Sequence, residues 1–509
     1  SLNTGENSFV NYYFRVSNTS PGWKIYASTA AASPLSVAPS TSPYIVVSAT
    51  ATDRLLVTVP GETYDPGNEA GGGKYGPASN AVAGSASTVT VWAVDRFYNL
   101  KSTDTAVKVL TTDPYTVPPP ARNLLNGTTT FEVIFRTATT DADVSTGPWR
   151  IMASTAGPSP MVSSVSPLIN VDAGTAVKLL VMAPGLTQDP GSPTGFSGTA
   201  STQTAGAGGN FTVDVKITDA YWNRKSNASS TIGLTSNDPF DDLAIMVPPV
   251  FTNNGKAAFP GAKLHTRNYK GDGTPAGNPD GWNITASGTG GYTAGVSTAV
   301  PVRGGTADRL VALAFGESLE EGNVPAGGKK AGFTPAALIA GEISTVTVYA
   351  TDDSYNIDTT TNAIVQVSFN PAGTIYDDPY ANAISTALPL VNGTASYQVI
   401  LRIGESKLSR VVALSSTNIL LNGETQNITV GPAAIAKLQL LVPGETAVPG
   451  KPPYTSGESA GGKSGTPDPW TVGKSSSVTV RFVDSFWNLA PSNSDNVSLR
   501  SQDPKDDTI

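Results

Sequence analysis

Cysteine is absent from this 509-residue sequence, and histidine occurs once, at His265. The first absence excludes disulfides, thiolate catalysis and zinc–cysteine sites, and the second leaves His-based triads and zinc sites without a repeated basis. Charge is scarce too: Asp, Glu, Lys and Arg make up 14% of the residues, well under the roughly 25% of an average soluble protein. With a net charge of −8 and no clustered Lys and Arg, a nucleic-acid partner is not expected, because phosphate binding needs such clusters. No run approaches the roughly 18 apolar residues of a membrane span, and Ser1 opens no recognisable signal sequence. Any targeting segment is expected to have been removed or to lie outside these residues.

What is abundant is glycine (51) and proline (39). Both punctuate short strands and disfavour helices. A hydrophobic fraction of 39% still builds cores, and the length suits about three to five domains. Solubility then rests on Ser, Thr, Asn and exposed backbone, which suits a secreted surface.

One stretch is written four times: Ser87 to Asn99, Phe211 to Asn223, Ser344 to Asn356 and Ser476 to Asn488. Two, four and six residues before the shared aspartate stand Ala93, Val91, Val89; Ile217, Val215, Val213; Ala350, Val348, Val346; and Phe482, Val480, Val478. The residues between are polar or amphipathic. Period two with a β-branched inner row predicts a strand with one face on a core.

Other landmarks fall into register around these copies. An opener carries Pro60, Pro184, Phe315 and Pro443, spaced 124, 131 and 128 residues apart, so the unit is a tandem repeat. A further strand (Val107 and Val109, Ile232 and Leu234, Val365 and Val367, Val497 and Leu499) leads to an Asp-Pro turn at Asp113, Asp238, Asp378 and Asp503. The third unit carries an insertion there, from Asn370 to Tyr376. Next come a strand led by Asn-Gly and one opened by Trp23, Trp149 or Trp282, where core packing is expected rather than a sugar platform. Pro260 inside the second complete unit's Asn-Gly strand predicts an edge or a bulge. Between opener and repeated strand lies a Gly/Pro-rich connection too long for an idle loop, expected to pack against something.

Seven or so alternating strands per unit predict an all-β chain of immunoglobulin-like sandwiches. The A-x-K-L opener, the T-V-x-V-x-x-x-D strand ending in Asn and the Asn-Gly strand resemble bacterial immunoglobulin-like repeats of the invasin and intimin type. The chain departs from them in its long Gly-rich loop and in the aromatic before the Asn. The resemblance implies rigid spacers or display stalks on a cell surface.

The frame divides the chain into a C-terminal half-module (1–50), three modules (51–174, 175–304, 305–433) and an N-terminal half-module (434–509). From Asp-Pro turn to Asn-Gly strand the steps are 14, 17 and 15 residues, and joining Ile509 to Ser1 would make a fourth step of 11. Either one subunit's half-module is completed by the next subunit, or these residues are a window on a longer repetitive protein. Both predict a linear assembly, a homopolymer through the half-modules and Gly-rich loops.

No constellation predicts catalysis. The pairs Asp95/Asn99, Asp219/Asn223, Asp352/Asn356 and Asp484/Asn488 are candidate calcium ligands. The structural alternative is that Asp ends the strand and Asn takes a turn conformation, with the aromatic packing on the sandwich end. The segments Ala70–Lys74, Ala326–Lys330 and Ala460–Lys463 lack the spacing and setting of a phosphate loop and read as flexible loops. Glu317, Glu320 and Glu321 have no matching partner in other units, and His265 reads as an ordinary strand residue. Asn18, Asn126, Asn210, Asn283, Asn392 and Asn427 are sequons for glycans where the machinery exists, and a Lys–Asn isopeptide link is another cysteine-free staple. The expectation is a non-enzymatic extracellular filament protein without cofactor. An adhesin stalk and a carbohydrate-binding surface protein are the alternatives.

Overall fold

The computed structural model describes residues 5–29, 37–141, 144, 146–157, 160–206, 208–241, 247–268, 281–369, 378–404, 408–417, 420–455, 461–490 and 495–505. The insertion at 370–376 lies outside them. Among the described residues every regular element is a strand, so the chain is all-β.

The repeated strands, Ala86–Val94, Phe211–Thr218 and Ile343–Thr351, each run down the middle of a sheet. On one side each pairs antiparallel with an opener strand, Arg54–Thr58, Lys178–Met182 or Arg309–Ala314. On the other lies the Asn-Gly strand, Thr128–Ile134, Lys256–Ala262 or Thr394–Ile400. Asn126, Asn254 and Asn392 have φ of 54°, 50° and 51°, and the glycine after each is also positive. Two successive left-handed residues make the tight turn that matches strand twist, which is why Asn-Gly recurs there.

A second sheet pairs Ala106–Thr111 with Ile151–Thr155, Thr231–Ser236 with Ile284–Gly288, and Ile364–Ser368 with Val412–Ser415. The two sheets share one core: Val89, Val91 and Phe131 from the first sheet meet Val107, Val109, Ile151 and Ala153 from the second. The equivalent clusters span Leu179 to Val302 and Leu310 to Val430. All nine inner-row residues of the complete modules are at most 1% exposed. A slip of one residue would put that row in water.

Pro260 lies where Phe211 pairs Ala262 but Val213 pairs Phe259, a one-residue bulge on an edge strand. Proline there removes no donor that the ladder needs.

The long Gly/Pro-rich connections are ordered where described. Three contain a hairpin, Thr63–Tyr64 with Lys74–Tyr75, Leu186–Gln188 with Phe196–Gly198, and Glu445–Ala447 with Lys463–Gly465. The third unit has a bridge from Leu319 to Lys329. The lysine of Ala70–Lys74 is not on a flexible loop: Lys74 Nζ lies 2.9 Å from Glu62 and donates to Val57 O. Lys329 with Glu317 and Lys463 with Glu445 repeat the pair. Glu317 therefore does have counterparts, Glu62 and Glu445, contrary to the sequence reading. In the second module the pairing of Gln188 with Phe196 aligns Leu186 with Glu62 and Phe196 with Lys74, so both charges are replaced together by apolar residues.

That paired exchange yields a prediction. Glu62→Leu strands a mostly buried ammonium and is expected to cost about 3 kcal/mol, whereas Glu62→Leu with Lys74→Phe recovers most of the loss. Urea unfolding of the two variants checks it, and equal losses in both would refute the coupling.

Candidate functional site at the module junctions

At the end of each repeated strand the aspartate and asparagine form one hydrogen-bonded node. Oδ1 of Asp95 accepts from the amides of Phe97 and Asn99, both at 2.9 Å. Asp219, Asp352 and Asp484 accept from the residues two and four places on in the same way. The turn this closes forces the intervening aromatic into the left-handed region, with φ of 66° at Tyr98, 67° at Trp222, 65° at Tyr355 and 69° at Trp487. The aromatic, not the asparagine, takes the turn conformation, which corrects the sequence reading.

Such a conformation costs an L-residue about 1–2 kcal/mol, and two contacts offset it. A loop glycine lies flat against each ring: a Cβ on Gly73, Gly195 or Gly328 would come within 2.5 Å of Tyr98, 2.5 Å of Trp222 or 2.7 Å of Tyr355. A cation from the opener covers the ring as well. Arg54 sits 5.2 Å from the Tyr98 centroid and donates to its hydroxyl, and Arg309 does the same with Tyr355. Lys178 stands 3.2 Å over Trp222 and Lys437 3.5 Å over Trp487, each donating to a backbone carbonyl because indole offers no hydroxyl oxygen. Arg thus goes with Tyr and Lys with Trp, a correlation legible in the sequence and missed there.

The other halves of these side chains reach the preceding module. Oδ2 of Asp95, Asp219 and Asp484 accepts from Thr50 N (2.9 Å), Gly174 N (2.8 Å) and Ala433 N (2.8 Å), and Asp352 takes Gly305 N (2.7 Å). Each asparagine brackets the end of the preceding Asn-Gly segment. Asn223 Nδ2 donates to Arg136 O (2.8 Å) while its Oδ1 accepts from Ala138 N (2.7 Å). Asn99 does so with Arg15 and Ser17, Asn356 with His265 and Arg267, and Asn488 with Arg402 and Gly404. A carboxamide has one donor edge and one acceptor edge, so it pairs with a strand as another strand would. All four asparagines are at most 3% exposed.

The captured strand end is held from behind by the Asp-Pro turn. Asp113 Oδ2 accepts from the amides of Arg136 and Thr137, Asp238 from His265 and Thr266, and Asp378 from Arg402 and Ile403. The long loop adds a brace: Gly67, Gly191, Gly322 and Gly450 donate to the carbonyls of Phe97, Tyr221, Ser354 and Phe486. From it Glu69 meets Arg15, Asp189 accepts from Tyr115, and Glu321 meets Arg267. The bond to Asp189 pushes the Tyr115 phenol up to about 12.

His265 is therefore not an ordinary strand residue. It stands where Arg15, Arg136 and Arg402 stand, is 7% exposed, and lies 2.9 Å from Ser354 Oγ across the junction. Trp23, Trp149 and Trp282 each donate Nε1 to a carbonyl at the same strand end, Val16, Thr137 and Thr266. As for calcium, the carboxylate oxygens of the four pairs face N–H donors, and among the described residues no three His, Cys, Asp or Glu converge as a cation would require.

The nodes differ in acidity. Burial, the largest influence on both, pushes each carboxyl up; at Asp95 the bonds from Asn99, Thr50 and Phe97 outweigh it and the net shift is down, whereas at Asp352 burial prevails and the shift is up. Both are hardly exposed, at 1% and 2%, but only half a module stands before Asp95. A depressed carboxyl stabilises above its unfolded value of about 3.9 and loses that contribution as pH falls through the folded value. A raised one runs the other way. Between pH 5 and 3 hydrogen exchange, corrected for intrinsic rates, is expected to weaken at the Thr50 amide and not at Gly305. Parallel behaviour at both would contradict the assignment.

No family model matches the chain, and no curated protein does. Among solved structures, trypsin-activated alpha-2-macroglobulin from Escherichia coli is 11% identical, covering 86% of this chain and 29% of that one, with a TM-score of 0.22. Extracellular domains 3–5 of Drosophila OTK are 11% identical over 75% of this chain and 99% of theirs, with a TM-score of 0.19. A Bacteroides vulgatus beta-glycosidase is 12% identical, with a TM-score of 0.17. The match covers 49% of this chain and spans 25% of that glycosidase.

Proposed function

We propose that the chain is a structural, non-catalytic segment of an extracellular cell-surface filament built from tandem immunoglobulin-like modules. The observation that carries this reading is the junction node, present four times with the same atoms in the same roles. A linker left free would let neighbouring modules pivot, as small polar interfaces usually do. Here each junction fixes two separated points, the linker through Asp and the strand end through Asn, and two fixed points remove the hinge. The chemistry it presents is load transfer from sheet to sheet.

The test is imaging of single particles in negative stain. The expected result is a narrow distribution of angles between successive modules, which broadens when Asn99, Asn223 and Asn356 are replaced by Ala together. A broad distribution in the unaltered chain would defeat the reading.

A further inference from the structure

Four residues after the turn glycine every Asn-Gly strand carries an aromatic, and the same spacing in residues 5–16 gives Phe9. Phe131, Phe259 and Tyr397 are at most 1% exposed, whereas Phe9 is 85% exposed. Around it Val10, Tyr12 and Tyr13 are also open, and Ile25, counterpart of the fully buried Ile151 and Ile284, is 36% exposed. Phe9 to Arg15 is one residue longer than Phe131 to Arg136 and equal to Phe259 to His265. This segment therefore follows the bulged register seen at Pro260.

The opposite deficit lies at the other half-module. Leu438 and Leu440 are 49% and 46% exposed, while their counterparts Leu55, Val57, Leu179, Val181, Leu310 and Ala312 are at most 3% exposed. Val480 and Phe482 are half-buried, although their counterparts Val91 and Ala93 are closed off. Lys437–Leu441 pairs with Thr479–Val483, and in the three complete modules the far side of that sheet carries an Asn-Gly strand. Asp503 is exposed, whereas Asp113, Asp238 and Asp378 are buried against the strand-end amides that they hold.

We propose that residues 5–47 of a second copy of this chain dock on residues 434–505 and complete the module between them. Resting on the structural reading above, this names the partner and the surface. The incoming strand pairs with Thr479–Val483, sets Phe9 opposite Val478 as Phe131 sits opposite Val89, and delivers the amides of Arg15 and Val16 to Asp503. The donor is presented ready-held, because Asn99 and Asp95 already clasp Arg15, Ser17 and Thr50 of their own chain. Donor and acceptor are different surfaces, so the contact repeats without closing and generates a fibre.

Sedimentation velocity of the 509-residue chain over a range of concentrations tests this. A concentration-dependent ladder of oligomers is expected. Val480→Asp and Phe9→Asp, on opposite ends, should each abolish the ladder, and an equimolar mixture of the two variants should stop at dimers, since each keeps one competent end. Phe9 is on the surface, so its variant tests assembly without risk to the fold. A wild-type chain that stays monomeric, its sheet face covered within the chain, would overturn the proposal, as would variants that still polymerise. Junction angles measured on the monomeric Val480→Asp chain report the structural reading separately, so either can fail alone.

Discussion

Phe131→Ala is expected to destabilise its module by about 3–5 kcal/mol, the largest effect of any single change considered. The ring has no exposure and fills the space between the two sheets against Val89 and the second sheet's valines. Its neighbours are β-branched residues on pleated strands that cannot close over the hole, so the lost transfer energy and the cavity add. The same truncation at Phe9, in the equivalent place of the repeat, is expected to leave monomer stability within about 0.5 kcal/mol, because a side chain already in water loses nothing. Hydrogen exchange resolved by module is the measurement, since a multi-module chain has no single unfolding free energy. Similar losses at both positions would mean that Phe9 is buried in the monomer.

Asn223→Ala is expected to weaken the junction by about 3 kcal/mol. The variant leaves Arg136 O and Ala138 N without their partner and deprives Asp219 Oδ2 of one of its two donors. A buried polar group stripped of its partner costs about 1–3 kcal/mol, and water can reach some of these atoms once the side chain is gone. The expected signature is faster exchange at Ala138 and Gly174 with unchanged protection inside the core strands. If protection at those amides changed by less than about 0.5 kcal/mol, the asparagine would be a local turn residue and not a joint.

Most of the fold was legible because it is written in period two and written repeatedly. Val89, Val91 and Ala93, with the equivalent rows of the next two units, are buried as the alternation requires. The bulge at Pro260 follows from proline's missing donor. The junction was hidden for a physical reason. Its asparagine acts on backbone atoms more than 80 residues away, and backbone atoms leave no trace in a sequence. Seen alone, Asp and Asn four apart look like turn residues or cation ligands. Only the aromatic between them, where a glycine would be easier, hinted that something had to hold it. Likewise the Glu62–Lys74 pair was obscured by the Gly-rich text around Lys74, and its signal was the joint loss of both charges at Leu186 and Phe196.

The asparagine grips Arg136 O and Ala138 N, and Asp219 grips Gly174 N; none of these bonds consults a side chain of the preceding module. The joint is consequently indifferent to which module comes before it, as shown by Arg, His and Arg exchanging freely at 136, 265 and 402. A unit duplicated, deleted or swapped carries its own connector with it. Length can then change by whole modules without a matched change elsewhere, which is how a chain of this kind can grow by copying while its surfaces diverge.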